Sequence, residues 1–190
     1  FDPVFKYGKK GLIKSTYYHM LLNYKNGIPF LNNMMRLIKV AEKLKTYDGK
    51  VLLLVPLLEA IDRLNEAMLK DSYFDKYNIV KIDGTLPLRV KRQSLEDGDI
   101  ILSTTPSVGT GTDIKNLACV VNFDEIASPI TTEQIFGRLR DRGKDTWYID
   151  VCDHVKQARS FESWGRRRRM LLPYYPGSRP DMQQLPNIYC

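Results

Sequence analysis

From Val51 onward, short apolar runs alternate with amphipathic stretches, and this alternation restricts the chain to an α/β fold. Val51–Val55 predicts a buried strand. Leu57–Leu69 predicts a helix, with Leu58, Ile61, Leu64 and Met68 on its apolar face. Strands are then expected at Asn78–Ile82, Asp99–Ser103, Ala118–Phe123 and Thr146–Val151. Helices are expected at Leu88–Leu95, Thr131–Leu139 and from His154 to about Met170. A Gly/Thr-rich loop is expected from the third strand to Asp113. Strands that are apolar on both faces and alternate with helices imply a parallel sheet covered on both sides. Such sheets place their chemistry in the loops at the carboxyl ends of the strands.

The flanks differ from this core. Ser15 can cap a short helix through Asn23, and Asn26-Gly27 with Pro29 predicts a turn. Met34, Met35, Ile38, Ala41 and Leu44 then fall at helical spacing, ending near Asp48-Gly49. The proline-containing end predicts an irregular tail. The expected organisation is a connector with its leading helices over residues 1–48, a lobe over 49–153, and a basic helix with a tail over 154–190.

The chain has 190 residues and a net charge of +7, with the basic excess in the two flanks and a mildly acidic centre. That distribution suits an anionic polymer as partner. No apolar run approaches the roughly 20 residues of a membrane span, so no membrane partner is expected. Cys119, Cys152 and Cys190 show no metal-ligand spacing. Cys119 and Cys152 lie in apolar runs and read as buried free thiols, which favours a reducing, intracellular setting.

Three loops have residue types suited to phosphate chemistry. Asp83-Gly84-Thr85 precedes Arg89, Lys91 and Arg92, where a backbone can approach the glycine closely and meet basic side chains. A plain turn before a solvated helix is the alternative. Ser103, Thr104 and Thr105 lead into Gly109-Thr110-Gly111-Thr112-Asp113, which offers hydroxyl and N–H donors and then an acid. A flexible loop is the alternative. Gln134-Ile135-Phe136-Gly137-Arg138-Leu139-Arg140-Asp141-Arg142 crowds three arginines together, as a phosphoryl group would gather them. A charged helix end is the alternative.

The order of these loops resembles the second RecA-like lobe of superfamily 2 helicases. Val51–Leu57 looks like motif IV and Asp83-Gly84 like motif IVa, where His-Gly is commoner. Thr105–Asp113 looks like motif V and Gln134–Arg142 like motif VI. The run Thr110–Leu117 is most similar to phage recombination and fork-remodelling helicases and to relatives in large DNA viruses. The resemblance implies a RecA-like parallel sheet flanked by helices. It implies that Arg138, with Arg140 or Arg142, acts as an arginine finger on ATP. The usual place of the second finger holds Asp141 here, so the choice between Arg140 and Arg142 stays open. Gln134, Gly111 and Asp113 are implied on the nucleotide side. Gly84, Lys91, Arg92, Thr104 and Thr105 are implied on a nucleic-acid backbone.

No Gly-x-x-x-x-Gly-Lys-Ser/Thr loop occurs. The resemblance therefore implies that ATP and Mg²⁺ are held mainly by an N-terminal RecA-like lobe of the same polypeptide, and that this chain alone holds neither. The expected partner is DNA, single-stranded, forked or branched, used in repair or recombination. The chain is expected to be monomeric, and a viral or phage source would place it in host cytoplasm. Val120–Glu125 imitates a Walker B strand, but its position after motif V reads as a core strand with a polar end. Arg166–Arg169 reads as a solvated helix end or as a contact to DNA or the other lobe. A non-catalytic nucleic-acid-binding module and the motor lobe of a restriction or repair nuclease are the rival readings.

Overall fold

The computed structural model describes residues 6–7, 13–14, 28–45, 47–108, 113–124, 128–139, 146–151 and 159–171. Strands β1 (Lys6–Tyr7) and β2 (Ile13–Lys14) form a small antiparallel pair. The main sheet holds β3 (Lys50–Val55), β4 (Ile79–Ile82), β5 (Ile100–Thr104), β6 (Leu117–Asn122) and β7 (Trp147–Asp150). Its order is β4-β5-β3-β6-β7, and all its pairings are parallel. The helices are α1 (Ile28–Leu44), α2 (Leu58–Met68), α3 (Leu88–Asp97), α4 (Thr105–Val108), α5 (Pro129–Gly137) and α6 (Arg159–Leu171).

The alternation along the central strands explains the layers. Val51, Leu53 and Val55 of β3 point into a core shared with Met34 and Ile38 of α1 and Ile61 and Leu64 of α2. Leu52 and Leu54 point the other way, toward Leu95 of α3, Val108 of α4 and Ile135 of α5. Residues one apart on a strand face opposite sides, so a continuously apolar strand needs helices on both. The expected parallel α/β sheet is therefore observed.

The turn expected at Asn26-Gly27 lies outside the described residues, and Pro29 lies in the first turn of α1, where a missing N–H is harmless. Two local expectations are corrected. The stretch after β5 is not wholly loop: Thr105–Val108 closes a turn of helix, with Pro106 in its opening positions. Leu58 is exposed, whereas Ala60, Ile61, Leu64 and Met68 are buried. At 3.6 residues per turn a step of three lags by about 60°, which carries Leu58 off the apolar stripe. Helix α1 packs on the sheet: Leu31, Met34, Leu37, Ile38 and Ala41 are buried in the same core as β3. The expected helix from Ser15 to Asn23, and Cys152 and Cys190, lie outside the described residues.

Asn116 turns the chain into β6 with φ of 61°. Asparagine tolerates this left-handed conformation better than most residues. Its amide also donates to the Asp48 carbonyl at 2.6 Å, and its own carbonyl receives the Lys50 N–H at 2.8 Å.

Candidate functional site

The carboxyl ends of β4 and β5 are tied together by Ser103, whose hydroxyl donates to the Ile82 carbonyl at 2.8 Å. Directly after β5 the chain winds into α4, and the hydroxyls of Thr104 and Ser107 lie 2.7 Å apart. Helix α4 ends after one turn, leaving carbonyls that need donors. Two cations supply them. Lys91 Nζ, from α3, donates to the Ser107 carbonyl. Arg138 Nη2, just beyond α5, donates to the Val108 carbonyl. Three loops far apart in sequence thus meet at one short helix.

The electrostatics of this junction follow from its burial. Burial pulls the Lys91 ammonium below its ordinary value, and the positive Arg138 nearby pulls it further. Burial likewise lowers Arg138, while the negative charge of Asp113 opposes the shift. Two cations are brought close to each other against neutral carbonyls. Such an arrangement favours the arrival of an anion.

The remaining candidates are spread around this point. Gly84 is exposed, and a methyl group added there would meet only Ser107 Oγ, at 3.8 Å. Packing within the lobe therefore does not require glycine at 84. Before it, Asp83 Oδ1 accepts from the Thr85 N–H at 2.7 Å, the Thr85 hydroxyl at 2.5 Å and the Leu86 N–H at 3.2 Å. These bonds, the Thr85 hydroxyl first, hold Asp83 below the usual carboxylate range. Arg92, Asp113 and Gln134 are exposed. Thr104 and Thr105 are buried, and the Thr105 hydroxyl has no hydrogen-bond partner among the described residues. Gly111, Arg140 and Arg142 lie outside the described residues.

One cluster escaped the sequence reading. Arg167, in the middle of the arginine run, is 1% exposed. Its Nε and Nη2 donate to the two oxygens of Asp150 at 2.9 and 2.8 Å. The Asn122 amide donates to Asp150 and to the Tyr148 hydroxyl, at 3.1 Å each. Burial pulls the Arg167 guanidinium down, but the Asp150 charge and hydrogen bonds, with Tyr148 and Asp124 adding to them, hold it above its ordinary value. The available signal was an Asp closing a strand with a dense arginine run following, but the run's helical phase was not readable.

The helicase conserved C-terminal domain family matches residues 31–143. The chain belongs to that family. It is the helicase C-terminal domain of superfamily 2 helicase-like proteins. None of the curated proteins matches the sequence. Among solved structures, the C-terminal domain of the DEAD-box protein Dbp5 is similar at TM-score 0.58 and 17% identity, over 78% of this chain and 79% of that one. Saccharomyces cerevisiae Dbp5 bound to RNA and ADP BeF3 gives TM-score 0.55 and 18% identity, over 74% and 35%. The C-terminal part of the Fun30 ATPase domain gives 0.50 and 16%, over 75% and 53%. At these identities the likeness concerns the fold, and it agrees with the five-stranded parallel sheet.

Proposed function

We propose that this helicase C-terminal domain is the second motor lobe of an ATP-dependent nucleic-acid helicase or translocase. The observation that carries the reading is the junction at α4, where Lys91 and Arg138 lie together against the Ser107 and Val108 carbonyls. Arg138 is half-buried, permanently charged and set beside a second cation. A planar guanidinium so placed fits the terminal phosphate of ATP brought by a facing lobe. ATP with Mg²⁺ supplies the phosphoryl group and its charge-neutralising ion when bound. Arg138 would hold the developing negative charge, with Arg140 or Arg142 as a second finger. Asp113 would orient Arg138 or meet the ribose. Gln134 and Gly111 would complete the nucleotide side, and the metal carboxylates would belong to the N-terminal lobe of the same polypeptide.

The nucleic-acid backbone would lie on the loops after β4 and β5. Gly84 supports this, because its missing side chain fills no need inside the lobe. Arg92, on the following helix α3, is exposed. Lys91 links the two functions: it comes from the helix after Gly84 and ends next to Arg138. The resemblance of Thr110–Leu117 to phage and viral fork-remodelling helicases favours DNA, and roles in repair or recombination, inside a reducing compartment.

Two measurements test the reading. The 190-residue chain alone should show no ATP turnover, and nucleic-acid-stimulated hydrolysis by it would contradict the division of labour between lobes. Its binding to single strands should be sequence-tolerant and should weaken as salt rises, because phosphate contacts release counterions. Gly84→Ala should keep the fold and weaken that binding. Competition between DNA and RNA strands of one sequence decides the polymer.

A further inference from the structure

Helix α6 presents arginines on two sides, and the Asp150 contact fixes which side is which. Arg167 is locked inward, so Arg168 and Arg169 are left exposed. Arg168 lies over the Trp164 ring, 5.6 Å from its centroid, which pre-orders the guanidinium. Arg166 pairs with Glu162 one turn away. An exposed pair of this kind is weak, so a phosphate can displace the carboxylate. A shallow depression is lined by Pro129, Arg166, Arg169 and Met170.

The location of this surface matters. Asp150 is the last residue of β7, so the Arg167 contact places the second half of α6 at the carboxyl edge of the sheet. Pro129 opens α5, after the carboxyl end of β6. Gly84 and Thr105 follow β4 and β5 on the same edge. The strand order puts β4 and β7 at opposite ends, four spacings of about 4.8 Å or about 19 Å apart.

We infer that Arg166, Arg168 and Arg169 form a second phosphate-contact surface for the same nucleic acid, extending its path across the carboxyl edge of the sheet. This rests on the nucleic-acid reading proposed above. At the duplex rise of about 3.4 Å per charge along one strand, at most some six phosphates separate the Gly84 loop from α6, and fewer on an extended single strand. Pro129 and Met170 in the same lining offer a base an apolar contact near the guanidinium groups.

The test is fluorescence anisotropy of the full 190-residue chain. It uses one labelled single strand long enough to cross the edge and one too short to do so, each titrated with salt. Arg168→Ala/Arg169→Ala should lower the salt slope for the long strand by roughly 1.4, or two contacts of about 0.7 each. The short strand should bind this variant as it binds the unsubstituted chain. Both residues are exposed, so melting should not change. If the alanine pair fails to fold, Arg168→Gln/Arg169→Gln is read in the same way. An unchanged long-strand slope, with Arg92→Ala still weakening binding, overturns this inference and leaves the first reading standing. Equal losses on both strands also overturn it. No binding by the unsubstituted chain overturns both readings.

Discussion

Arg167 meets Asp150 through two bonds, Nε to one carboxylate oxygen at 2.9 Å and Nη2 to the other at 2.8 Å. This pair joins the last residue of β7 to the middle of α6, and it is almost sealed from water. It fixes the rotation of a helix whose sequence alone leaves four arginines without an orientation.

Breaking this pair should be costly. Arg167→Ala leaves the Asp150 carboxylate buried without its counter-charge, and removal of one partner of such a pair typically costs about 3–5 kcal/mol. Replacing both partners with apolar residues of similar size, as in Asp150→Leu/Arg167→Met, should recover most of the loss. Asn122 would keep its bond to Tyr148. Urea unfolding of the three variants checks this, and a double variant no better than Arg167→Ala would contradict it.

Asp83 should titrate low. Its folded value lies below the ordinary carboxylate value of about 3.9, chiefly because the Thr85 hydroxyl donates to the ionised form. The folded value is the lower one, so this turn contributes stability above the unfolded value. That contribution is lost as pH falls through the folded value. An NMR titration should place the Asp83 midpoint below that of an unfolded peptide, and Thr85→Ala should move it upward. A midpoint at the unfolded value would show that the three bonds to Asp83 do not persist in solution.

Cys119 should be inert while the chain is folded. Burial in β6, with the Glu42 charge adding to it and Lys45 opposing, pushes its thiol up to about 12. The thiolate is the reactive form, so it should be almost absent at neutral pH. Alkylation followed by peptide mapping should leave Cys119 unmodified in the native chain and label it fully in urea. Rapid native labelling would mean that the sheet opens.

The parallel sheet was legible because both faces of β3, β5 and β6 are apolar, a pattern with few other uses. Motif order was legible because Gly84, Thr105 and Arg138 follow successive strands. Contacts that depend on rotation were not. Lys91 was read as a phosphate contact, yet its ammonium lies on the Ser107 carbonyl beside Arg138. The arginine run gives no sign that Arg138 is half-buried and bonded to the Val108 carbonyl. In the same way Arg167 lies hidden inside a run that looks uniformly solvated. Spacing gives the face of a helix approximately, whereas a single buried acid such as Asp150 decides it.

The central claim is that Arg138 serves phosphoryl transfer, and the most direct measurement is nucleic-acid-stimulated ATP hydrolysis by the protein carrying both lobes, with and without Arg138→Ala. Arginine fingers elsewhere are worth roughly 10³ to 10⁵ in rate, so a loss of at least about a thousandfold is expected. Arg138→Lys should not restore activity, because an ammonium cannot reproduce the planar fork. Loss of the Val108 bond should lower stability by about 1–3 kcal/mol, and a melt of the variant checks that the lobe stays folded. Turnover by Arg138→Ala within a few-fold of the unsubstituted protein would contradict the motor reading.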